Sequence, residues 1–184
     1  MPLRCDECDA TGHIEQDRLL DPASNRMIPR PGTAADVPDL VRVTNLAYLV
    51  EAEMFHGTRT SESDVLERLA RPNATFLVVP DGATNGVLAG SVYVETREDC
   101  GYFGMLAVDP ACQGRGLGRA LVRAAEAHCR VAGCTAMKLD VVDLRRELTA
   151  FYASLGYEAT GESPYAHPEQ TKRPVRLIHM SKSL

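Results

Sequence analysis

Hydrophobic and polar positions change rhythm along the chain, and the changes mark out its elements. Residues 1–25 are polar and without sustained periodicity, and Asp21-Pro-Ala-Ser-Asn25 reads as a turn or linker. The compact domain is expected to span 26–184. Asp36 is placed to cap a helix in which Leu40, Val43, Ala47 and Val50 face one way. A second short helix fits 62–70, stopped by Arg71-Pro72. Thr75-Phe-Leu-Val-Val79 reads as a strand, with turn signals at Asp81-Gly82 and Asn85-Gly86 and a hairpin partner over 87–95. Residues 102–108 form an apolar run that fits a buried strand. A long helix opens at Gly116, with Leu117, Ala120, Leu121, Ala124, His128 and Val131 near one face. A strand fits 135–142. Leu148, Phe151, Tyr152 and Leu155 then stripe a short helix that Gly156 ends. Tyr157 begins another strand, and 174–182 gives the last. The order is βααβββαβαββ. A meander followed by a βαβ crossover implies an α/β fold whose mixed sheet is covered on both faces.

Within this order one segment carries chemistry: Val108-Asp-Pro-Ala-Cys-Gln-Gly-Arg-Gly-Leu-Gly-Arg119. It joins a strand to a helix through Gly114, Gly116 and Gly118. Glycine lets backbone N–H groups approach a ligand without a Cβ in the way. The first N–H groups of a helix lack internal partners and sit at the positive end of its dipole. Together they suit a phosphate or pyrophosphate. A P-loop would need Lys and then Ser or Thr after its last glycine, but Arg119-Ala120 follows. A dinucleotide fingerprint would need G-x-G-x-x-G near the start of a βαβ unit; the spacing here is G-x-G-x-G, past mid-chain.

Composition narrows the partners. With 184 residues and a net charge of −5, the chain has room for a real core and carries no Lys/Arg block, which argues against general nucleic-acid binding. Arg115, Arg119 and Arg123 still give the glycine turn a local basic character. No apolar run reaches membrane-span length, and the first residues lack the apolar region of a secretion signal. A reducing, cytoplasmic setting is therefore expected for the six cysteines. Cys100, Cys112, Cys129 and Cys134 read as small hydrophobes. Cys5-x-x-Cys8 with Gly12-His13 is half of a zinc knuckle, three ligands where a closed site needs four, and a second chain would have to supply the last. No bound metal is expected.

Gln113-x-x-Gly116-x-Gly118 after Val108-Asp109-Pro110 resembles the acetyl-CoA loop of the GNAT superfamily of N-acetyltransferases. Phe151-Tyr-Ala-Ser-Leu-Gly-Tyr157 is similar to that family's FY-x-x-L-G-F/Y segment, and the 172–182 tail resembles the final strand of some small members. The likeness covers roughly 26–184 and is most specific over 102–157. It implies the family's fold, acetyl-CoA as co-substrate, and direct acetyl transfer to an amine within a ternary complex. It implies that the turn Gln113, Gly114, Arg115, Gly116, Leu117, Gly118 and Arg119 holds the pyrophosphate. The pantetheine would lie along Leu106, Ala107 and Val108 like an added strand. That requires the fourth strand to splay from the fifth, commonly by a bulge. A backbone N–H near Leu106 would meet charge developing on the thioester oxygen.

Tyr152 stands where the family often has the general acid for the departing thiolate; by helical spacing alone it belongs to the packing stripe. Two carboxylates are candidate bases. A related subgroup carries Glu at the position of Asp140, and Glu95 lies near the end of the third strand. Each is also an ordinary strand-end carboxylate, and direct proton loss to water is a third route. Arg145 departs from the family, which often has an Asn there against the pantetheine. In the family, acceptor specificity comes from the first two helices, their loop and the last hairpin, here 48–60 and 161–172. Glu51 and Glu53 could pair with a cationic amine or form a solvated helix face. His56 could be a base or a loop residue, and Arg59 lies in the same segment. The expected partners are acetyl-CoA and a small-molecule amine, without nucleic acid or membrane, and a homodimer is left open. Two other classes compete: a non-catalytic acetyl-CoA sensor, and a metal-binding adaptor built on Cys5 and Cys8.

Overall fold

Seven strands lie side by side in the order β1-β2-β3-β4-β5-β7-β6. They are β1 (Arg30–Pro31), β2 (Ala74–Pro80), β3 (Leu88–Arg97), β4 (Cys100–Val108), β5 (Ala136–Val142), β6 (Glu158–Pro164) and β7 (Arg176–Ser183). Among the described residues four α-helices accompany them: α1 (Val37–Ala47), α2 (Glu62–Leu69), α3 (Leu117–Val131) and α4 (Arg146–Ala153). The computed structural model describes residues 28–82 and 87–184. The N-terminal extension with Cys5, Cys8 and His13, and the Asn85-Gly86 turn, lie outside the described residues. The element order matches the expected βααβββαβαββ. Among the described strands β4 and β5 pair in parallel and all other neighbours antiparallel, so the sheet is mixed.

Alternation along β2 builds two cores. Leu77 and Val79 join α3 on one face of the sheet, while Phe76 and Val78 join α1 and α2 on the other. All four are buried, which is why this strand reads as a continuous apolar run. The α3 stripe is rotated from the expected one. Leu117, Leu121, Val122, Ala125 and Cys129 are buried, whereas His128 is exposed and Val131 is 92% exposed. Cys129 acts as a core residue and turns the helix towards itself. It packs where β4 has Gly101, because a Cβ there would sit 2.5 Å from the Cys129 Sγ and 2.7 Å from the Met137 Sδ.

Two expectations near the first helix are corrected. α1 stops at Ala47, and Tyr48–Glu51 tighten into a 3-10 turn. At three residues per turn, positions 48 and 51 share a face. Val50 is therefore turned out, at 64% exposure, and Glu51 is turned in, at 5%. Asp36 does not cap α1 with its side chain. Its carboxylate reaches back to the Thr33 backbone N–H at 2.8 Å and takes two hydrogen bonds from Arg30 at 2.7 and 2.9 Å.

That pairing carries a pH signature. Arg30 holds the Asp36 carboxyl down to about 2, against an ordinary 3.8. The associated stability is complete above pH ~4 and is lost as the pH falls towards 2. Asp36→Asn should cost about 1–2.5 kcal/mol near neutral pH, with a shrinking difference from wild type as the pH falls towards 2. Urea denaturation of both proteins across that range measures it.

Candidate functional site

The sheet opens at one place. β4 and β5 pair only at Cys100–Ala136, Gly101–Met137 and Tyr102–Lys138. Beyond that rung β5 stays with β7 as far as Val142–Leu177, and β4 stays with β3 as far as Val108–Gly90. The strands diverge because β4 carries an extra residue. Ser91 and Tyr93 of β3 face Ala107 and Gly104, so two steps on one strand span three on the other. Met105 takes up the surplus at φ 50°, and Met105 and Leu106 drop out of the β3 register. Such a bulge bends its strand and sharpens its twist. The splay and the bulge stand where the pantetheine reading needs them.

The glycine turn follows directly. The Asp109 carboxylate accepts from the Ala111 backbone N–H at 3.0 Å and from Arg42 of α1 at 2.7 Å. Arg42 also reaches Asp39 and the Leu88 carbonyl, so the Val-Asp-Pro sequence fastens the turn to α1 and β3. Cys112 is buried within this turn. Gly114 and Gly116 have φ of 77° and 79°, a region that L side chains resist. Nothing lies within 4 Å of where a Cβ would stand at either. The turn therefore presents bare backbone to open space at the start of α3.

A cleft of about 460 Å³ runs from this turn to the opening. It brings together Leu106, Val108, Gln113, Gly114, Gly116, Leu117, Gly118 and Arg119, facing Tyr48, Glu51, Arg145 and Tyr152. Arg115 is exposed outside it, and Ala107 is buried and does not line it. A second cavity of about 220 Å³ shares Tyr48, Glu51, Leu106, Leu148 and Tyr152 with the first. Through that shared rim it reaches Tyr102, Asp140, Arg59 and Arg68.

Tyr152 belongs to both readings. Its ring packs against Phe103, Phe151 and Tyr157, and it also lines both cavities. Burial pushes its phenol well above the ordinary range, so it keeps its proton. Asp140 borders the second cavity. Its carboxylate is 2.6 Å from the His179 Nδ1 and accepts from the Tyr102 hydroxyl at 3.4 Å. The β5–β7 register sets His179 directly opposite Asp140. Sequence reading missed His179, because only strand pairing brings these two positions together. Burial, reinforced by the Asp140 charge, pushes the Tyr102 phenol up to about 12.

Glu95 lies outside both cavities. It accepts two hydrogen bonds from Arg97 and one from the Tyr93 hydroxyl, and Arg97 holds its carboxyl below the usual range. A carboxylate so occupied is a poor base. Glu51 is not on a solvated face. Its buried carboxylate accepts from Arg145 at 2.9 Å, and Arg145 also pairs with Glu147. Desolvation raises the Glu51 pKa against the pull of Arg59 and Arg145. Glu53 is exposed, as is His56, which borders a smaller cavity of about 130 Å³ that Glu51 and Arg59 also line. Among the described residues no three acidic, His or Cys side chains gather as a metal site, and no helix is long and apolar enough to cross a membrane.

Known proteins resemble this chain in sequence and in fold. Residues 43–157 match the sequence profile of the acetyltransferase (GNAT) family. Over an alignment of 99 residues that covers 50% of this chain and 58% of the other protein, the chain is 39% identical to glucosamine 6-phosphate N-acetyltransferase 1 of Oryza sativa subsp. japonica. The ribosomal-protein-S18-alanine N-acetyltransferase of Escherichia coli superposes with a TM-score of 0.68 at 21% identity, over 84% of this chain and 92% of that one. A phosphinothricin acetyltransferase of Sinorhizobium meliloti, solved with acetyl-CoA, gives 0.69 at 19% identity over 85% and 87%. At these identities the structures establish a common fold.

The Glu51–Arg145 pair makes its own prediction. Arg145→Ala strands a buried carboxylate, whose pKa in the folded protein then climbs further above the unfolded value. Stability lost this way is greater at high pH than at low pH. The variant should lose about 2–4 kcal/mol near pH 8 and less near pH 5, and adding Glu51→Gln should restore part of the loss. Denaturant unfolding at the two pH values measures both effects.

Proposed function

The chain belongs to the acetyltransferase (GNAT) family, and from that premise we propose that it is an acetyl-CoA-dependent N-acetyltransferase acting by direct transfer to an amine in a ternary complex. The observation that carries this reading is the junction of two cavities at the β4–β5 opening, with Tyr152 on their shared rim. A cavity continuous with the cofactor cleft favours a second substrate over a sensor that binds one ligand.

The residues fit the co-substrate. Gly114 and Gly116 leave an open cradle of backbone at the start of α3, suited to a pyrophosphate. Arg119 lines the same cleft and adds positive charge. The edge of β4 beyond Tyr102, released from β5, offers its backbone to an extended ligand. Bound acetyl-CoA supplies the acetyl group as an activated thioester. Leu106, unpaired in the β3–β4 register, offers its N–H to negative charge on the thioester oxygen. Tyr152 holds a proton at its hydroxyl and donates it as a hydrogen bond to the departing sulfur. Asp140 receives the proton of the attacking amine. His179, bonded to it and 39% exposed in its side chain, gives that proton a way to solvent. The rice relative is named for glucosamine 6-phosphate, so an amino-sugar phosphate is the first acceptor to test.

Gly116→Val should weaken acetyl-CoA binding at least about tenfold, since it puts a β-branched side chain into the cradle. The positive φ adds a strain of about 1–3 kcal/mol without unfolding the domain. Calorimetric titration with circular dichroism checks both, and wild-type affinity in the folded variant would contradict the assignment.

Tyr152→Phe keeps the ring and removes the hydroxyl. Turnover should fall about 10–100-fold while the KM for acetyl-CoA changes little. Unchanged turnover with chemistry rate-limiting would return Tyr152 to a packing role alone.

A further inference from the structure

Three arginines stack on tyrosines around the second cavity. Arg59 lies 4.7 Å from the centre of the Tyr48 ring, Arg68 5.1 Å from that of Tyr93, and Arg97 4.7 Å from that of Tyr102. All three rings line the cavity, and so do Arg59 and Arg68 themselves. The charges nearby are not evenly matched. Arg97 is taken by Glu95 through two hydrogen bonds. Glu51 attracts Arg59 but forms its ion pair with Arg145. Asp140 is engaged by His179 and Tyr102. Among the described residues Arg59 and Arg68 form no ion pair. Arg59 is held by the Tyr48 and Tyr165 hydroxyls and by the field of Glu51, whose own contact is with Arg145, so two guanidinium groups border one cavity without a carboxylate in direct contact.

Cation–π contact positions a guanidinium yet leaves its N–H groups available. A planar fork of such donors matches the paired oxygens of a carboxylate or phosphate. We infer that Arg59 and Arg68 form an anion subsite beyond the β4–β5 opening, and that the acceptor is an amine which also bears a carboxylate or phosphate group. The inference rests on the acetyl-transfer reading for the identity of the second substrate. Asp140 at one part of the cavity would face the amine, and the arginines at another would hold the acid group. The same arrangement selects against purely cationic amines, which would meet two guanidinium groups that no carboxylate contacts directly.

Two matched pairs of probes test this: glucosamine 6-phosphate against glucosamine, and alanine against alaninamide. Binding of each to the full chain, with and without coenzyme A, is measured by calorimetry. Binding needs no turnover, so a failure of acetyl transfer would be seen separately from a failure of the subsite. The acidic member of one pair should bind at least about tenfold tighter than its neutral or cationic counterpart. Preference in the sugar pair assigns phosphate, and preference in the amino-acid pair assigns carboxylate. Arg59→Gln and Arg68→Gln should each bring the ratio towards one. Arg59→Lys, which keeps the charge, serves if Arg59→Gln does not fold, and should retain part of the preference. Arg97→Gln, at a guanidinium already paired, should leave the ratio unchanged. Equal or absent binding in both pairs would overturn the inference. So would a ratio that survives both glutamine variants, or one that falls as far in Arg97→Gln.

Discussion

Backbone hydrogen bonds in the middle of a sheet are rarely given up, and here they are given up after the Tyr102–Lys138 rung. Everything at the site depends on that break. β5 remains held by β7, and β4 by β3 on either side of its bulge, so each strand keeps one neighbour while the pair separates. The extra residue at Met105 bends β4 away. Gly101, one residue before the last shared rung, lets Cys129 of α3 close on the sheet. The separation is therefore built into packing on both sides. Elements flanking the gap fill its rim: the 3-10 turn after α1 brings Tyr48 and Glu51, and α4 brings Tyr152.

Charge is arranged around the gap with the same economy. A buried carboxylate without a cation destabilises the fold, and Arg145 offsets part of that cost at Glu51. Arg145 reaches Glu51 across ninety-four positions of the chain, so the pair ties the start of α4 to the 3-10 turn after α1. The ion pair borders the cleft at the glycine turn, with Glu51 reaching the cavity beyond it, and the stacked Arg59 and Arg68 border that second cavity. Tyr152 between them is neutral, held so by burial. A protonated donor at the junction suits a step in which negative charge leaves on sulfur.

Local chemistry was legible in the sequence and long-range geometry was not. The glycine turn, the Val-Asp-Pro before it and the Gly156 stop are each written in a few adjacent residues, and the turn and stop fall where those residues predict. The α3 stripe is misaligned because Cys129, read as a small hydrophobe, is left out of it and Val131 is put in. Asp36 looked like a cap but serves Arg30 and Thr33, a partnership that tertiary structure decides. Glu51 and Val50 exchanged places when the helix tightened to three residues per turn, a change that a period of 3.6 cannot anticipate. His179 and Arg68 entered the site only through strand register and the packing of α2.

Backbone hydrogen exchange with and without acetyl-CoA tests most directly whether the break in the sheet is a ligand channel. An extended ligand lying along β4, with its phosphates on the turn, should slow exchange in 103–108 and 113–119. Strands β2 and β3, which lie on the far side of β4 from the opening, should change little. Protection confined to other parts of the chain, or none at saturating acetyl-CoA, would contradict the assignment of the opening to the cofactor.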